Sequence, residues 1–180
     1  LGLAVAVAAP TVASAAVDAC DLLILSGKIG DGTGAPWFRG GLCVTDGRIT
    51  ALQSPGKLGS RAAERTIDAT QLVVAPGFID LLGQSEYAVL VDPRAASKIT
   101  QGITTEITGE GQSIAPADER QIAEGDDIWK RYGVRPDWTD LEGYFRALQR
   151  ARPAINLGTM VGAGGIRDLV VGKENRPATA

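Results

Sequence analysis

Past Pro76 the sequence alternates strand-like and helix-like segments, and that alternation restricts the fold more than any other feature. Gly77 to Leu81 is a short apolar strand. Asp92-Pro93 predicts a helix start, with Asp as N-cap and Pro at the first helical position. That helix runs to about Gln101, and Gly102 stops it. Ile103 to Thr108 is a β-branched strand, and Pro116 to Arg131 is helical with polar faces. Thr139-x-x-Glu142 predicts a capping box. It heads a helix whose apolar face, Leu141, Tyr144, Phe145 and Leu148, follows i, i+3, i+4, i+7 spacing. Ile155 to Val161 is a third strand, and Gly165 to Val171 begins another helix. Strand then helix, repeated, predicts a parallel α/β sheet covered by helices.

Before Pro76 the pattern is different. Residues 17–76 read as short strands joined by turns: Asp21 to Leu25, Gly41 to Thr45, Arg48 to Leu52, Arg65 to Asp68 and Leu72 to Val74. Asp46-Gly47 is a strong hairpin signal, because both central residues of that turn need positive φ. Ser26-Gly27 predicts a turn. A small β-sandwich-like N-terminal unit is the expectation for this stretch.

A formal net charge of −3 over 180 residues, with no basic run or face, argues against a nucleic-acid partner. A small molecule is the expected partner. Leu1 to Val17 carries no charge and is mostly Ala, Val and Leu. It is too short to cross a bilayer, which takes about 20 apolar residues. Ala13-Ser14-Ala15 is a small-x-small cleavage pattern, so residues 1–16 read as a signal-peptide remnant. The expected location is the periplasm or the cell exterior, with no stable membrane span; an Ala-rich tail is the other reading. Cys20 and Cys43 are the only cysteines. Buried free thiols are the favoured reading, and an exported protein also permits a disulfide.

The order of motifs then acquires a meaning. Asp31-Gly-Thr-Gly-Ala-Pro-Trp-Phe-Arg39, Asp46-Gly-Arg-Ile49, Thr66-Ile-Asp-Ala69, Ala75-Pro-Gly-Phe-Ile-Asp80, Gln101-Gly-Ile-Thr-Thr105 and Ser113-Ile-Ala-Pro116 follow one another. Together they resemble the D-aminoacylase (N-acyl-D-amino-acid deacylase) family of the amidohydrolase superfamily. The resemblance implies a (β/α)8 barrel that hydrolyses a non-peptide C–N bond with metal-activated water. A complete barrel takes about 250 residues. Residues 77–180 are therefore expected to form the first strands of a truncated barrel, with catalytic residues beyond Ala180.

The same resemblance exposes departures. After Asp80 the family pattern has His-x-His; here Leu82 and Gln84 stand in those places, and the chain has no histidine. Aligned back from Ser113, the family's metal-ligating Cys falls on Glu110, a carboxylate that can bind Zn. Ala163 replaces a further histidine. Zn is thus the implied cofactor, with Glu110 as the metal candidate here. Gln84 and Glu86, facing the barrel mouth, are candidates for substrate binding; a polar loop is the plainer account of both. Glu106 is expected on the same face as Glu110 if the strand runs on, and a structural ion pair suits it equally. Gly162-Ala163-Gly164-Gly165 reads as a tight turn whose N–H groups face a substrate carboxylate. Trp37, Trp129 and Trp138 read as packing residues. Two functions remain: a hydrolase of N-acyl amino acids, or a metal-less barrel that binds without hydrolysing.

Overall fold

The computed structural model describes residues 19–179, so the apolar segment read as a signal-peptide remnant lies outside the described residues. The chain divides into two compact units, with the boundary between Pro76 and Gly77.

The first unit holds strands β1 (Cys20–Ile29), β2 (Phe38–Thr45), β3 (Arg48–Gln53), β4 (Ala63–Asp68) and β5 (Val73–Val74), and one helical turn, α1 (Pro55–Leu58). In place of a sandwich's two facing sheets, the described residues here form one mixed sheet in the order β3-β2-β1-β4, with β5 also beside β1. The reason lies in β1, which is long enough to serve three partners. It pairs antiparallel with β2 along one side. Along the other side it pairs parallel, first with β4 and then with β5. Ser26, at φ 64°, makes a bulge in mid-strand rather than a turn between strands. Asp46 (φ 52°) and Gly47 (φ 69°) form the β2–β3 hairpin as their residue types require.

The buried centre of this sheet is small: Cys20, Leu23, Cys43 and Leu58, the last brought down by α1. Cys20 and Cys43 are joined in a disulfide, with Cα atoms 5.5 Å apart. This corrects the free-thiol expectation. The two cysteines lie on β1 and β2, which run side by side, a contact that spacing in sequence does not reveal. Trp37 is also corrected: it is exposed, with Lys28 Nζ 5.3 Å above its ring.

The second unit carries three parallel strands in the order β6 (Phe78–Asp80), β7 (Ile103–Thr108), β8 (Asn156–Thr159). Helices α2 (Ala88–Val91), α3 (Ala96–Ile99), α4 (Glu119–Glu124), α5 (Asp126–Tyr132), α6 (Leu141–Ala151) and α7 (Ala163–Val171) complete it. The helix expected from Asp92 is two short ones. Asp92 caps the C-terminus of α2, and its carboxylate accepts from the Arg94 N–H at 3.1 Å. The long helix expected over Pro116 to Arg131 is likewise split at Gly125. The N-cap of α6 is Asp140, accepting from the Gly143 N–H at 2.7 Å, not Thr139.

An aromatic and aliphatic core forms from Val89, Ile114, Trp138, Tyr144, Leu148 and Ile155 with two alanines. Tyr144 stacks at a tilt on Trp138, their ring centroids 5.5 Å apart. Leu148 is buried as its spacing predicts, whereas Phe145 is exposed. Among the described residues no helix is long and apolar enough to cross a membrane.

Candidate functional site

The site grows from the segment that leaves β6. Its first turn is held by backbone polarity: Asp80 Oδ1 accepts from the Leu82 N–H at 3.2 Å. The Gly83 N–H then donates to the Ile107 carbonyl of β7 at 2.9 Å. Beneath this turn lies Glu106, fully buried in β7. Its Oε1 accepts from the Ser85 N–H at 3.0 Å, and its Oε2 lies 3.3 Å from Lys98 Nζ of α3. Lys98 also bonds Asp80 at 2.7 Å. That bond, with the Glu106 charge, holds the ammonium above the ordinary lysine range. The same bond, with the Leu82 N–H, holds the Asp80 carboxyl below its own. The ion-pair reading of Glu106 is therefore the one the structure adopts. Glu106 and Glu110 do not share a strand face, because β7 ends at Thr108 and Gly109 turns the chain at φ 82°.

Beyond Ser85 the segment enters the second unit's core. The Glu86 carbonyl accepts from the Tyr144 hydroxyl at 3.1 Å, tying this backbone to α6. The Glu86 side chain is only 9% exposed. Burial pushes its carboxyl above the usual range, the Glu106 and Glu110 charges add to that shift, and the Thr108 hydroxyl opposes it.

Gln84, Glu86 and Glu110 converge on one cavity of about 640 Å³, which Ser113, Gln121 and Trp129 also line. It opens beyond the C-terminal ends of β6 and β7, where parallel strands present their loops. Trp129 and Tyr87 meet edge to face with ring centroids 4.5 Å apart, and the Trp129 indole N–H donates to the Ile122 carbonyl. On the far wall Asp168 accepts from Gln121 at 2.9 Å and from Arg120 at 3.3 Å, which hold its carboxyl low. Gln121 and Asp168 carry no sequence signal as site residues; only the fold brings α4 and α7 to this wall.

The remaining candidates stand apart. Leu82 is 66% exposed and offers no donor atom, and Ala163 is exposed at the start of α7. The Gly162 N–H is already used, donating to Ser113 Oγ at 3.2 Å. Among the described residues no group of three His, Cys, Asp or Glu side chains is arranged to hold a metal ion. The donor set does not fit a zinc centre: Gln84 is a neutral amide, the cysteines are joined to each other, and among the described residues Glu110 belongs to no group of three such donors.

Comparison with known proteins supplies what this geometry leaves open. No family model matches the chain. An N-acyl-D-aspartate deacylase of Alcaligenes xylosoxydans xylosoxydans is 35% identical over 165 residues, 88% of this chain and 31% of that protein. Over most of its own length the chain is similar to N-acyl-D-amino-acid deacylases. A D-aminoacylase of the same organism is 34% identical over 160 residues, 88% of this chain and 32% of the relative. The N-acyl-D-glutamate deacylase of Bordetella bronchiseptica, solved with zinc and a phosphonate mimic of the tetrahedral intermediate, superimposes with TM-score 0.77 at 36% identity. That match covers 91% of this chain and 34% of the solved chain. The chain spans about a third of the length of the curated relatives it matches.

Proposed function

We propose that this protein hydrolyses the amide bond of an N-acyl amino acid. In this reading residues 77–180 supply the opening strands of a (β/α)8 barrel, and the cavity at their C-terminal ends receives the substrate. The observation that carries the reading is the convergence of Gln84, Glu86 and Glu110 on that cavity, in a chain homologous to deacylases. Gln84, exposed at the rim, presents an amide that both donates and accepts to the acyl or carboxylate oxygens of a substrate. Glu86, whose carboxyl burial pushes above the usual range, lines the same cavity and offers its carboxyl group to a substrate.

In the zinc-bound relative the metal would supply Lewis-acid chemistry. In this chain Glu110, in the loop that follows β7, offers a carboxylate where the resemblance implies a metal ligand. Among the described residues the donor set does not make a metal centre. The absence of donors at Leu82 and Ala163 favours the second reading, a barrel that binds N-acyl amino acids without hydrolysing them. Export to the periplasm or cell exterior is also proposed, and the Cys20–Cys43 disulfide supports it, since such bonds persist in oxidising compartments.

The test uses full-length protein and a panel of N-acetyl-D-amino acids, with free amino acid release as readout. Turnover that drops in Gln84→Ala supports the hydrolase; binding without release in calorimetry supports the second reading. No turnover and no binding overturns both. Zinc content of the wild type and of Glu110→Ala decides the ligand: equal zinc in the two removes Glu110 from that role.

A further inference from the structure

We infer that Glu106 is a positioning residue: through the Ser85 N–H it fixes the backbone that carries Gln84 and Glu86 to the cavity. The inference rests on the proposed substrate site for its functional consequence, and on geometry alone for the positioning itself.

Three observations meet at this carboxylate. Glu106 is buried to 0% exposure, and a charged group so placed needs partners. Its two oxygens are used differently. Oε1 takes the Ser85 N–H at 3.0 Å in a charge-assisted bond. Oε2 has no directed hydrogen bond and only the Lys98 ammonium at 3.3 Å. Lys98 directs its closest contact, 2.7 Å, to Asp80 at the end of β6. The lysine thus balances charge and braces the start of the segment, while Glu106 grips its middle.

Gly83 supplies the third observation. A Cβ built there would lie 1.8 Å from Glu106 Oε1. The glycine is therefore the space the carboxylate occupies, and the backbone of this turn passes directly over it. Ser85 sits between the two candidate binding residues, so one hydrogen bond to its N–H sets the direction in which both Gln84 and Glu86 leave the chain. From the far side the Tyr144 hydroxyl holds the Glu86 carbonyl at 3.1 Å. The segment is clamped from below by an acid and from α6 by a phenol. Gln84 and Glu86 need no contact with each other to be placed together.

The test compares Glu106→Ala, Glu106→Gln and Gly83→Ala in the full-length protein, by hydrogen exchange of the peptide spanning residues 83–87 and by KM and kcat on an N-acetyl-D-amino acid. Gln keeps an acceptor for the Ser85 N–H and loses only the charge. Glu106→Ala is expected to speed exchange in that peptide about tenfold, the weight of one charge-assisted hydrogen bond, and to raise KM more than it lowers kcat. Gly83→Ala should do the same from the opposite side by displacing the carboxylate. Glu106→Gln should restore exchange and KM to near wild type.

Unchanged exchange in Glu106→Ala overturns the inference, as does equal acceleration across the whole second unit, which marks a merely structural residue. A Gln variant as damaged as Ala also overturns it, since charge and not the acceptor would then matter. Should Ala fail to fold, Gly83→Ala and Glu106→Gln still decide. If exchange responds as expected while Gln84→Ala leaves KM untouched, the positioning stands and the proposed substrate site falls.

Discussion

The two units solve the problem of smallness in different ways. The sheet before Pro76 has a four-residue buried cluster, Cys20, Leu23, Cys43 and Leu58, and it crosslinks two of those four residues. The unit from Gly77 has no crosslink and buries a larger group around Tyr144, Trp138 and Leu148. A domain near 60 residues gains little from burial alone, so a staple does proportionately more there. In the second unit the core also holds the segment that carries Gln84 and Glu86, which Tyr144 does through its hydroxyl. One unit is stabilised through its unfolded state and the other through its folded contacts.

The strongest test of that contrast is Tyr144→Ala. It should cost about 4 kcal/mol, as other buried aromatic truncations do. Denaturant unfolding followed by hydrogen exchange should localise the loss to the second unit. Replacing Cys20 and Cys43 together by Ala should cost about 3 kcal/mol, confined to the first unit. The combined variant should show the two losses side by side with no coupling, as for sites that share no partners. Coupling beyond about 0.5 kcal/mol would mean the units do not stand separately.

Smaller effects sharpen the same picture. Asp140→Ala removes the side-chain acceptor for the Gly143 N–H and should cost about 1 kcal/mol, read as a lower midpoint for α6 exchange. The least of the four is a pH effect. Glu86 ionises near 4.5 in the unfolded chain and keeps its proton to higher pH in the fold. Its contribution to stability is therefore complete below 4.5 and is lost as pH rises through the folded value. Thermal melts of Glu86→Gln should lack that decline; an identical pH profile in wild type and variant would remove burial as the cause.

Legibility in the sequence followed locality. β7 was readable to its ends because a β-branched run is bounded by Gly102 and Gly109, and the β2–β3 hairpin because Asp46-Gly47 allows little else. Signals with two local solutions misled. Asp92-Pro93 suits a helix start, yet Asp92 closes the helix before it and pairs with Arg94. Thr139 and Asp140 are adjacent competent caps, and Glu142, expected to reach back in a capping box, pairs with Arg146 one turn on instead. What depends on contact between distant segments was not readable: the disulfide joins β1 to β2, and the Glu106–Lys98 contact comes from α3 meeting β7. The cavity combines both kinds. Gln84, Glu86 and Glu110 lie at strand ends that motif order located, whereas Gln121 and Asp168 reach it on helices with no marking residue.

The bulge at Ser26 has a consequence for how this gene tolerates insertions and deletions. Before it, Leu23 faces Cys43 on β2 and Thr66 on β4; after it, Lys28 and Ile29 face Arg39 and Phe38 on one side and Val73 and Val74 on the other. One residue therefore sets the phase of the strand against two neighbours at once. Losing a single codon here would turn buried Ile29 outward and Lys28 inward, on both flanks together. The loop at residues 30–37, only a few positions later, carries no such phase, so length changes should accumulate there and be purged at Ser26.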